Sequence, residues 1–165
     1  MRALYLASVA LHILAAALWV GGMLFFVTVV LPALSHPSLR PSRSRIIEHV
    51  GRAFRPVAWS ALATLLVTGT FNLFYRWTDW DSIITGNFWH TPIGNLFGWK
   101  VVLVTAMVAL HALHDFWLGP RAAEALERGE NSAATLRCHA SWAGRLVMII
   151  SIAVVVLAVT FVRGC

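Results

Sequence analysis

A chain of 165 residues that is 59% hydrophobic, with eight Trp and nine Phe, has too few polar residues to clothe an ordinary soluble domain. Its net charge of +6 does not point to nucleic acid, because the 13 cations collect beside apolar runs, as membrane topology requires. Two cysteines give no disulfide framework, and no G-x-S-x-G, GxxxxGK[ST], H-E-x-x-H or CxxCH motif is present.

Four apolar stretches are long enough to cross a bilayer. They predict an all-α polytopic membrane protein, a single four-transmembrane-helix bundle with helices over about 3–31, 56–75, 96–118 and 141–162. The first run is too long for a signal peptide and lacks a small-residue cleavage pattern, so it reads as a retained span. Along it His12, Trp19 and Met23 lie seven and four residues apart and form one stripe. Gly21 and Gly22 offer small surfaces to a neighbouring helix or a flat cofactor. Trp19 falls in mid-span, whereas most of the other tryptophans lie near predicted interfaces.

Pro32 ends the first span, and a turn-rich connection follows. A short amphipathic helix is predicted from Arg45, with Pro56 at the entry to the second span as a first-turn residue or a kink. The second span has no ionisable residue in its interior. Thr64 and Thr68, four apart, can satisfy a backbone carbonyl or donate to a ligand on a neighbouring helix. The connection YRWTDWDSIITGNFWHTPIGN reads as an aromatic interfacial loop with a short helix. Its Asp79, Asp81 and His90 are also a weak candidate for external metal entry.

The third span, LFGWKVVLVTAMVALHALHDFWL, carries His111, His114 and Asp115 in its second half. Lipid gives a polar side chain no hydration, so such residues face other helices, water or a cofactor. Their spacing places them on one broad helical face together with Met107. Gly119 and Pro120 are expected to end this span, and a short charged helix or turn leads to the fourth, which bears no chemistry of its own. Nine cations follow the first span or flank the connection between the third and fourth. Only Arg2, Arg76, Lys100 and Arg163 lie on the opposite side. The positive-inside rule then puts both basic connections in the cytoplasm of a bacterial-type inner membrane and both termini outside. The basic flanks can also touch anionic lipid.

At about 1.5 Å per residue, His12 lies about 12 Å inward from the outer end and Met107 about 14 Å. On the same scale of about 1.5 Å per residue, His111, His114 and Met23 follow at about 20, 24 and 28 Å. Two chemistries fit. In the first, His12 with His111 or His114 ligates a b-type haem for membrane electron transfer or redox chemistry. Trp19 and Gly22 would then line the pocket, Asp115 would take a ring hydrogen of His111, and Arg76 or Lys100 would pair with propionates. In the second, the same histidines with Met107 and Met23 bind copper, because thioether suits Cu(I) and imidazole suits either state. A third class is a structural or assembly subunit that uses its polar residues to contact another membrane protein.

LHILAAALWVGGMLFFVTVVLPAL resembles the opening helix of the copper resistance D (CopD-like) membrane family. TPIGNLFGWKVVLVTAMVALHALHDFWLGPR resembles that family's glycine turn, helix-opening lysine and late histidines. A more distant similarity is to the HemJ-like protoporphyrinogen oxidases, which implies haem b with His12 as the matching ligand and Lys100 as a loose match. The first resemblance implies copper transport or resistance. A chain this small would then need a second copy, as in a homodimer, or a membrane redox partner to complete a path. The expected surroundings are lipid bilayer, and no nucleic-acid partner is implied.

Overall fold

The computed structural model describes residues 1–163, with side chains through residue 160. Among these the chain is helical, without strands. Helix α1 runs Arg2–Phe25, passes through a π-helical turn at Phe26–Val30 and closes with Leu31–Ala33. Helix α2 covers Arg43–Arg76, and α3 is a short helix, Trp80–Ile84. Helix α4 runs Pro92–Leu113, widens into a second π turn at His114–Leu118 and continues over Gly119–Glu127. Helix α5 covers Ala133–Arg163. Four of these helices are long and apolar enough to cross a membrane. Their apolar side chains point outward as well as in: Leu14 is 66% exposed and Val67 70%. That surface suits lipid, which has no need of a polar coat.

The chain forms two compact units, residues 1–85 and 86–165. In the first, α1 packs on α2 as an antiparallel hairpin whose buried contacts are small: Ala15 against the Ala58, Ala61 and Leu62 side. Trp19 is the large side chain in that seam, only 2% exposed. Of the two neighbours that Gly22 could admit, a helix or a flat cofactor, the structure shows the helix: the ring of Phe54 lies against it, with Cζ 2.5 Å from where a Cβ would stand. The close approach at Gly22 therefore serves helix packing.

Two elements differ from expectation. The amphipathic stretch after Arg43 and the second span are one helix, continuous through Pro56. Proline removes one helical N–H, and both Pro56 and Arg52, whose carbonyl loses that partner, are exposed. Similarly, Gly119 and Pro120 do not end the third long helix, because the π turn precedes them and the helix resumes. The same arrangement occurs in α1, where a π turn ends two residues before Pro32. A proline ring collides with the carbonyl four residues back in an ordinary helix. A widened turn at that point lets the chain continue with a displaced carbonyl.

The connection between units contains the expected short helix. Asp79 caps α3 by accepting from the Ser82 N–H at 2.8 Å. Bonds from Ser82, the backbone one foremost, hold the Asp79 carboxyl below its ordinary value of 3.8. The α4 start is fixed by Thr91, whose hydroxyl accepts from Gly94 N–H at 2.9 Å and donates to the Phe88 carbonyl at 2.7 Å, with Pro92 as the first helical residue.

A Cβ at Gly94 would lie 1.9 Å from the Phe88 carbonyl oxygen, so backbone must move. Gly94→Ala is expected to cost about 2 kcal/mol net, overpacking of about 3 less a helix-propensity gain of about 1, read as a lower melting temperature in detergent. The Asp79 cap, being a depressed carboxyl, contributes fully above 3.8 and is lost as pH falls through its lowered folded-state value. The Ser82 amide resonance should shift in that acid window and stay fixed in Asp79→Asn.

Candidate metal centre in the third span

The ligating side chains gather at the boundary where α4 changes from α to π. His111 is the last-turn residue of the α segment, and His114 and Asp115 open the π turn. One ligand atom from each lies within 4.8 Å of the others. Asp115 is buried, 8% exposed, and its two oxygens divide the work. Oδ1 stands 3.1 Å from His114 Nδ1, and Oδ2 stands 3.4 Å from His111 Nε2. The first distance is that of a hydrogen bond, the second that of a looser ionic contact. The sequence pointed to Asp115 as an acceptor for His111, and its shorter contact is with the adjacent His114.

A buried carboxylate is costly unless it is paired. Here two imidazoles answer it, and a divalent cation held by the same three groups would answer it further. Neutral imidazole nitrogen and carboxylate oxygen form a donor set for Cu(II) or Zn(II), and the set is compact enough for one ion. His114 Nε2 faces Gly144 on α5, 3.8 Å from where a Cβ would stand, so α5 presents no side chain at that contact. Met107, one turn before His111, is buried at 4% exposure, and its sulfur meets the Ser151 hydroxyl of α5 at 3.1 Å. The same hydroxyl reaches the Val147 carbonyl at 2.7 Å.

The remaining predicted residues are distributed elsewhere. His12 is in the first unit, with Nδ1 2.8 Å from Thr68 Oγ1. Met23 is half-buried in the same unit. Arg76 lies over the Trp77 ring at 5.3 Å, and Lys100 is a half-buried residue of α4. Asp79 and Asp81 lie in the first unit and His90 in the second. Cys138 is exposed, and Cys165 lies outside the described residues. Ser151 and Gly144 were missed by sequence reading. Neither has a signal of its own in an apolar span, because each acts through a partner on another helix.

The family model for copper resistance protein D matches residues 48–161. The chain belongs to the CopD family. It is also 32% identical over 159 residues to an uncharacterized protein of Aquifex aeolicus (strain VF5), covering 93% of this chain and 92% of that one. No solved structure matches it. The CopD match includes the whole of His111, His114 and Asp115, with Met107 and Ser151, while His12, Trp19, Gly22 and Met23 precede it. The HemJ-like resemblance gains no support from these comparisons.

Ser151→Ala removes the hydroxyl that α5 places against Met107 and the Val147 carbonyl. The expected loss is about 1 kcal/mol, the net worth of a typical hydrogen bond, measurable as a reduced unfolding midpoint of the purified protein.

Proposed function

We propose that this CopD-family protein binds copper as its cargo within the bacterial inner membrane, at His111, His114 and Asp115. Met107 adds a thioether one turn away for the reduced ion. The carrying observation is the meeting of three ligand atoms within 4.8 Å inside an apolar span. The family supports copper over other cations, and the chemistry agrees: imidazole serves both copper states, carboxylate favours Cu(II) and thioether favours Cu(I). Asp115 holds the His114 ring in place through Nδ1, which leaves its Nε2 as the ligating atom. Both basic connections face the cytoplasm in this reading, so α1 and α4 each enter the membrane from outside.

The test is copper titration of the purified protein in nanodiscs, read by competition with a chromophoric chelator. One copper per chain is expected. His111→Ala and His114→Ala should each weaken binding by about 100-fold and Asp115→Asn by about 10-fold, the range for ligand and supporting-carboxylate losses. His139→Ala, an exposed residue on α5, should change nothing. Unaltered copper affinity in both histidine variants refutes this site. A reduced b-type haem spectrum in the protein as purified, lost on His12→Ala, would replace copper by haem.

A further inference from the structure

The first unit contains a polar stretch that copper chemistry does not use. The hairpin's register is fixed at two levels: the Tyr5 and Tyr75 rings stack with centroids 4.6 Å apart, and His12 Nδ1 meets Thr68 Oγ1 at 2.8 Å. Ser8 lies one turn before His12 on α1, and Asn72 one turn after Thr68 on α2. In an antiparallel pair these two residues therefore share a level, between the stacked tyrosines and the histidine. Ser8 Oγ and Asn72 Oδ1 are both shielded from the outside, and neither has a hydrogen-bond partner among the described residues.

Two such atoms at one level of an apolar span call for a partner, because buried polar groups in folded proteins are almost always hydrogen-bonded to protein or to ordered water. Lipid supplies neither donor nor acceptor. Ser8 offers an O–H donor and a lone pair, and Asn72 a carbonyl acceptor, which is the mixed donor set that a bound water needs. The adjacent imidazole has a defined orientation of its own. Thr68 gives its single proton to the Thr64 carbonyl at 2.6 Å, so at His12 it accepts. The neutral His12 ring then carries its hydrogen on Nδ1 and its lone pair on Nε2.

We propose that Ser8 and Asn72 hold ordered water within the first unit's span, forming a hydrated polar site that extends from beneath the Tyr5–Tyr75 pair to His12. Water there satisfies both orphan atoms and gives the imidazole a polar neighbourhood inside the membrane. The site stands independently of copper binding in the third span.

The experiment places single cysteines in a background lacking Cys138 and Cys165, with the protein in sealed vesicles. Ser8→Cys and Asn72→Cys are treated with a hydrophilic methanethiosulfonate, which reacts with thiolate and so reports water at the sulfur. Leu6→Cys and Leu11→Cys, outward-facing residues that bracket Ser8 in depth, are the lipid controls. Ser8→Cys and Asn72→Cys should react at least about 10-fold faster than both controls, since thiolate forms where water reaches it. Rates equal to the controls overturn the proposal. If the cysteine variants do not fold, X-ray hydroxyl-radical footprinting of the unmodified chain decides. Oxidation of His12 above that of the outward-facing Phe71 supports the water site, and a protected His12 overturns it.

Discussion

One carboxylate inside an apolar helix sets the terms for the second unit. Asp115 is buried where lipid and apolar side chains provide no solvation, and its free energy depends on what stands against its two oxygens. The protein answers with His114 on one oxygen and His111 on the other. A metal ion bound by the same three side chains, as proposed above, would give the carboxylate further positive charge to face.

Both units follow a common scheme. Each opens with a long helix that widens into a π turn two residues before a proline, at Pro32 and at Pro120. Each then uses a hydroxyl from the partnering helix to meet a polar or soft side chain on the first: Thr68 at His12, and Ser151 at Met107. In both cases that hydroxyl also engages the carbonyl one turn back on its own helix, Thr64 or Val147. A hydroxyl tied to its own backbone costs little to bury in a span; Thr68 keeps lone pairs for the His12 ring, while Ser151 can give its one hydrogen to the Val147 carbonyl or to the Met107 sulfur, which only accepts. The units diverge in what fills the seam. Phe54 packs on Gly22 in the first, while Gly144 faces His114 in the second. The aromatic ring fills the first seam at the level of Gly22, and at Gly144 the second seam presents no side chain to the His114 ring.

The CopD match covers His111, His114 and Asp115 together with residues 48–85 of the first unit. In the copper reading proposed above the soft donor is Met107, which lies one turn from His111, buried beside Ser151. The first unit supplies hard oxygen donors and an oriented imidazole instead, a set suited to water.

Spans and class were legible in the sequence, since hydropathy over about 20 residues dictates membrane helices, and so was the grouping of the candidate ligands His111, His114 and Asp115, since i, i+3 and i, i+4 spacing alone aligns them. The charge bias beside the spans was legible for the same reason, being a local property of the chain. Helix continuity was not: whether Pro56 and Pro120 stop a helix depends on whether the backbone before them can widen or reach solvent. Nor could spacing show that Gly22 faces Phe54, that Ser151 reaches Met107, or that Ser8 and Asn72 share a level. Those contacts join residues far apart in sequence, and only the packing of one helix on another decides them.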